Sequence, residues 1–164
     1  MKNRTIATLV TAILACLFMG CIESPLFNHA DASTSALNPV AQSEKCPLEF
    51  TKSDLCASIE WVKNPTEEES GAFTLRFWSL SQGTESGPYI APSNEVFVKL
   101  WMPSMGHGSS PVTIKPALNT SGEIIAGVYD VSDVFFTMHG NWEIQVQLRQ
   151  ARKVIEQAKI DVRI

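Results

Sequence analysis

The stretch that decides the fold is Asn141-Trp142-Glu143-Ile144-Gln145-Val146-Gln147-Leu148-Arg149. Trp142, Ile144, Val146 and Leu148 alternate with polar residues at a period of two, the spacing of a half-buried strand with one face in a core. Working outward, the same alternation recurs. Leu55, Ala57, Ile59 and Trp61 alternate with Cys56, Ser58 and Glu60, and Phe73, Leu75 and Phe77 with Thr74 and Arg76. Val96, Val98, Leu100 and Met102 share one face of a third strand, and Val112 and Ile114 begin a fourth that Pro116 is expected to end. Residues 122–138 are rich in Ile, Val, Tyr and Phe, and Ala158, Ile160, Val162 and Ile164 alternate with Lys159, Asp161 and Arg163 in a terminal strand.

Seven or so short strands, separated by Gly, Pro, Asn and Ser, predict an all-β fold over residues 46–164. The expected architecture is an immunoglobulin-like antiparallel β-sandwich of about seven strands. Two local readings stay open. Arg149-Gln150-Ala151-Arg152-Lys153 is also good helix material, so residues 150–157 have a helical turn as an alternative. Tyr129 and Val131 have odd parity whereas Val134, Phe136 and Met138 have even parity, so the chain either bulges or turns at Ser132-Asp133. A bulge places the loop at 103–110 and the segment at 139–141 at the same end, and a full turn places them at opposite ends. The absence of Gly and Pro from Val131-Ser132-Asp133-Val134 favours the bulge.

The chain has 164 residues, 45% hydrophobic and 18% charged, enough for one domain with a core of its own. Its N-terminus reads as an export signal, with Lys2 and Arg4 ahead of an apolar run from Ile6 to Met19, too short to span a bilayer. Leu17-Phe18-Met19-Gly20-Cys21 resembles a bacterial lipobox, in which the Cys is lipidated and becomes the first residue. Ile13-Leu14-Ala15-Cys16 is a competing box, and a plain cleaved signal is the non-lipid alternative. Cys21 is preferred because cleavage at Cys16 leaves Leu17-Phe18-Met19 exposed. The expected organisation is a lipoprotein signal peptide at 1–20, a flexible tether at 21–45 starting from a lipidated Cys21, and the sandwich at 46–164. The tether has a root-mean-square reach of roughly 25–30 Å. It would hold the domain at a lipid membrane on the cell-envelope side, and the absence of Asp after Cys21 points to an outer membrane facing the periplasm.

Loss of Lys2 and Arg4 leaves 11 basic against 17 acidic residues, an anionic domain with no electrostatic footprint for nucleic acid. Cys46 and Cys56 close a short loop in a chain addressed to a compartment where disulfides persist, so a structural disulfide is expected, worth about 3 kcal/mol by chain entropy. There is no nucleophile elbow, no His-Glu-x-x-His pair and no phosphate-cradling glycine loop, so no enzyme is expected.

The most unusual stretch is Trp101-Met102-Pro103-Ser104-Met105-Gly106-His107-Gly108, with two thioethers and an imidazole in a Gly-rich loop. Met138-His139 follows at an expected hairpin tip made by Gly140-Asn141. Thioether sulfur is soft and needs no deprotonation, and imidazole is borderline, so a Met/His set suits Cu(I) and, with fewer sulfurs, Cu(II). Zinc, whose ligands are Cys, His and carboxylate, fits less well. Met102 shares parity with core residues and Met138 with Phe136, so packing is an alternative for both. Met105 and His107 are the least easily explained by packing.

Met102-Pro103-Ser104-Met105-Gly106-His107, Gly127-Val128-Tyr129 and Phe136-Thr137-Met138-His139-Gly140-Asn141-Trp142-Glu143-Ile144 together resemble the YtkA-like and FixH-like domains over roughly residues 52 to 149. The resemblance implies a small exported immunoglobulin-like sandwich, associated in several lineages with copper handling or with assembly of copper-containing oxidases. It makes Met102, Met105, His107 and Met138 the ligand candidates, with His139 adjoining. The function expected is a lipid-anchored envelope domain that binds a copper ion and passes it to, or sequesters it from, a copper-handling, oxidase or efflux partner. The alternative is a metal-free interaction module that docks another envelope protein through an exposed Trp101 and Phe97.

Overall fold

The computed structural model describes residues 46–66 and 68–164; the signal peptide, Cys16, Cys21 and the tether lie outside the described residues. The alternating stretches form strands and pair antiparallel throughout. They are β1 (Leu48–Phe50), β2 (Leu55–Lys63), β3 (Gly71–Ser79), β4 (Glu95–Met102), β5 (His107–Gly108), β6 (Thr113–Leu118), β7 (Ile124–Val134), β8 (Asn141–Gln150) and β9 (Lys153–Arg163). One sheet has the order β1-β2-β3-β7-β6 and the other β5-β4-β8-β9. Without the short β1 and β5, β2-β3-β7-β6 over β4-β8-β9 is the strand order of a seven-stranded immunoglobulin constant-type sandwich. The expected seven strands are therefore present, with two short additions.

The core forms where the two inner faces meet. Phe73, Leu75 and Phe77 of β3 and Val131 and Val134 of β7 pack with Val98, Leu100 and Met102 of β4 and with Trp142, Ile144, Val146 and Leu148 of β8. Burial of each large apolar side chain stabilises the fold by about 1.5–3 kcal/mol. β8 departs from its half-buried reading, because its outward-facing Gln145 and Gln147 are also buried. As the strand between β4 and β9, β8 has neighbours on both sides. Its amides are satisfied by hydrogen bonds, Gln145 Nε2 to Glu143 at 2.7 Å and Gln147 Nε2 to Gln157 at 2.6 Å. Burial there is tolerable because each amide is paired.

Asp133 resolves the open parity. β7 runs unbroken to Val134, with Asp133 at φ 60°. Gly71 stands opposite Val134 and Phe73 opposite Val131, so β7 carries one residue more than β3 across this interval. The bulge reverses parity, and Val131 and Val134 both face the core at 1% and 0% exposure.

Two local expectations are corrected and one open alternative is settled. Pro116 does not end its strand; β6 is a sheet edge, where a residue without an N–H is tolerated, and Pro116 pairs with Tyr129. Residues 150–157 form no helical turn. Gln150 pairs with Lys153, and Ala151 and Arg152 take φ of 47° and 67°, the two-residue hairpin loop whose twist matches the flanking strands. The pull of β9 onto β8 overrides local helix propensity. The other correction, at Gly140-Asn141, belongs to the site.

Cys46 and Cys56 form the expected disulfide, Cα atoms 5.6 Å apart. It packs with Trp78 and Leu80 in a small cluster separate from the main core. Asp54 organises the next loop by accepting from the hydroxyls of Ser81 and Ser79 at 2.7 and 2.8 Å and from the Ser81 N–H at 3.1 Å.

Two stability measurements check this account. Ala151 and Arg152 occupy backbone space that favours Asn and Gly, so Ala151→Asn with Arg152→Gly raises the melting temperature by several degrees, on the order of 1 kcal/mol. The Ser81 and Ser79 hydroxyls hold the Asp54 carboxyl below its ordinary value of 3.8. That contribution is fully present above 3.8 and is lost as pH falls through the lower folded value. In a thermal melt series, Asp54→Asn is less stable than the native chain at neutral pH and loses less on acidification.

Candidate functional site

β4 ends at Met102 and returns through a tight loop into β5, with Met102 opposite His107 and Trp101 opposite Gly108. The N–H groups of Met105 and Gly106 both donate to the Met102 carbonyl, at 3.2 and 2.9 Å, which closes the loop and turns its side chains outward. Met105 is 61% exposed, while Met102 is 3% exposed and belongs to the core. The packing alternative for Met102 is thus what its burial describes.

The segment from Phe135 to Gly140 is not a hairpin tip, contrary to the sequence reading. β7 belongs to the five-stranded sheet and β8 to the four-stranded one, so these residues cross from one layer to the other. Gly-Asn resembles a two-residue hairpin turn locally, but β7 and β8 have partners in different sheets. Gly140 has φ 141°, and its N–H and carbonyl pair with Ile164 at 3.1 Å each. A Cβ there would stand 2.6 Å from the Met102 Cε, so the Met102 methyl group lies against the crossover.

The loop and the crossover therefore meet at one end of the sandwich, as the bulge reading required. Ser109, just after β5, donates its hydroxyl to the Phe135 carbonyl and ties the two segments together. The Trp142 ring lies edge-to-face with His107, centroids 6.0 Å apart, and with Phe136 at 5.3 Å. Its Nε1–H donates to the Met138 carbonyl at 3.0 Å. Met138 is 42% exposed. Met138 and His139 line a cleft of roughly 230 Å³ with Phe136, Thr137 and Ile164. Of the five candidates, Met105, Met138 and His139 are exposed, His107 is half-buried and Met102 is beneath them.

The His107 Nδ1 lies 3.1 Å from the Gly108 carbonyl. A carbonyl can only accept, so this contact places the proton of a neutral ring on Nδ1 and the lone pair on Nε2, the arrangement that a metal ligand needs. On the neighbouring strands, Glu143 and Lys159 form an ion pair. Burial of Glu143 raises its carboxyl, but hydrogen bonds from Lys159 and Gln145 outweigh this and hold it below the ordinary range. The same pair raises Lys159. Among the described residues no three of His, Cys, Asp and Glu converge as a metal-binding group. Cys46 and Cys56 are joined, and Met105, Met138, His107 and His139 place thioether and imidazole donors at this end.

Trp101 and Phe97, expected to be exposed, are half-buried. Lys99 Nζ sits 3.6 Å over the Trp101 ring and the Arg149 guanidinium 3.3 Å over Phe97, so cations cover both apolar faces. Two residues essential to the geometry were missed from the sequence. Ser109 is a hydroxyl directly after the Gly-rich loop, and Trp142 figures in the sequence as a strand residue and as part of the YtkA-like motif but not as a contact of His107 and Met138. The signal for Trp142 was its N–H, which a buried indole must satisfy nearby.

No curated protein and no solved structure matches the chain significantly. Residues 62–147 match the sequence profile described as YtkA-like, a span that runs from β2 to β8 and contains the loop, the bulge and the crossover. The chain belongs to the YtkA-like family.

Proposed function

We propose that the domain binds a copper ion as cargo at the end of the sandwich, through Met105, His107 and Met138, with His139 at the rim and Met102 beneath. The observation that carries this reading is the meeting of two sequence-distant Met/His segments at Trp142, one through the His107 ring and one through the Met138 carbonyl. A thioether is never protonated, and the contact of His107 Nδ1 with the Gly108 carbonyl leaves Nε2 as the donor atom of the neutral ring, so the set suits Cu(I). Donors that are mostly exposed favour exchange with a second protein over permanent retention. The role that follows is copper handling or delivery in the cell envelope, with no covalent chemistry on the protein. The anchor proposed is a lipid on Cys21, with the chain from 21 to 45 as tether at the periplasmic face of an outer membrane and a copper-handling, oxidase or efflux component as partner.

The metal-free alternative has less support, because Trp101 and Phe97 are covered by Lys99 and Arg149. Titration of the domain with Cu(I) against a competing chelator separates the two. The native domain should show a sub-micromolar site, and Met105→Leu with His107→Ala should weaken it at least tenfold while the circular dichroism spectrum stays that of a β-sandwich. No sub-micromolar site in the native domain refutes the copper reading. For the anchor, Cys21→Ser should move the protein from the membrane fraction to the soluble fraction of the envelope; retention in the membrane would rule out lipidation there.

A further inference from the structure

Met138 sits in an irregular crossover and His107 in a two-residue strand, yet one side chain touches both segments. Trp142 is 1% exposed, and Val162 of β9 stands opposite it in register. Its backbone is therefore held in the β8–β9 ladder, while its buried ring meets His107, Phe136 and the Met138 carbonyl. A buried indole N–H requires an acceptor, and the Met138 carbonyl supplies it at 3.0 Å. The backbone that bears the exposed Met138 thioether is thereby tied to the core. The same ring meets His107 at 6.0 Å and 76°, and the Gly108 carbonyl lies 3.1 Å from its Nδ1. The His107 imidazole is thus held by contacts with both a carbonyl and an aromatic ring.

We infer that Trp142 is a positioning residue that sets the separation of His107 and Met138, so that the incoming metal meets donors already placed. The inference rests on the copper reading of this end. Groups that orient a metal's ligands from behind are each worth about 10–100-fold in affinity. A Trp that only filled the core would change stability and leave affinity alone.

Two substitutions separate these roles. Trp142→Phe keeps an aromatic ring beside Phe136 and His107 but removes the N–H. Benzothienylalanine incorporated at 142 keeps the full ring size and removes the N–H alone, so it serves if the Phe variant fails to fold. Phe77→Leu, a buried change near the opposite end of β3, is the control for lost stability. Both changes at 142 should raise the dissociation constant for Cu(I) about tenfold. They should also speed amide exchange in residues 136–140 of the metal-free domain, whereas Phe77→Leu should do neither. Native affinity in the 142 variants, or a loss matched by Phe77→Leu, overturns the positioning role and leaves the copper reading standing. A native domain without a Cu(I) site overturns both.

Discussion

The site depends on one extra residue in β7. Because the chain bulges at Ser132-Asp133 instead of turning, β7 continues to Val134, and a single reversal, at Asn119–Glu123, separates it from β6. That count brings the crossover after β7 to the end where β4 turns into β5. A full turn at Asp133 would send Met138 to the opposite end from Met105 and His107. The bulge has its own cost, since Asp133 must take φ 60°, of order 1 kcal/mol for a residue with a side chain. The burial of Val131 and Val134 on the same face offsets it, because an unbroken alternation would turn one of them outward.

Once the segments meet, short polar contacts hold them. Ser109 bonds to Phe135, Trp142 to Met138 and Gly140 to Ile164, so the crossover is fastened to β5, β8 and the residue after β9. In each contact the crossover contributes a main-chain group outside the sheet ladders: the Phe135 and Met138 carbonyls and the N–H and carbonyl of Gly140. Groups of this kind must find partners when covered, and here they find them across the junction of the two layers. The result is an irregular segment with a defined position, on which Met138 and His139 stand out from the surface.

The strands were legible because an antiparallel sandwich with one core imposes period two on each of them, and the pattern survives in β2, β3, β4 and β8. What escaped were effects of strand position. Gln145 and Gln147 look solvated in sequence but belong to an interior strand whose neighbours bury them. Pro116 looks like a stop but lies on an edge strand, where a residue without an N–H is tolerated. Ala151 and Arg152 favour helix locally, yet ten paired positions between β8 and β9 decide their conformation. For the site, residue chemistry marked Met105, His107 and Met138, whereas their proximity hinged on a parity change at Asp133 that the sequence left open. The Gly140-Asn141 pair misled because a turn dipeptide reports the local backbone and not the sheet to which the next strand belongs.

The cysteines constrain what the site can be. Cys46 and Cys56 are joined and packed with Trp78 and Leu80, in a cluster separate from the core that holds Met102. A disulfide persists where thiols are not kept reduced. In such a compartment a thiolate donor is prone to oxidation to a disulfide, whereas a thioether stays a soft donor at any pH. Methionine is the side chain that gives a soft metal a soft ligand there. The proposed site, with exposed Met105 and Met138 beside His107 and Met102 in the core below, meets that constraint with thioether donors.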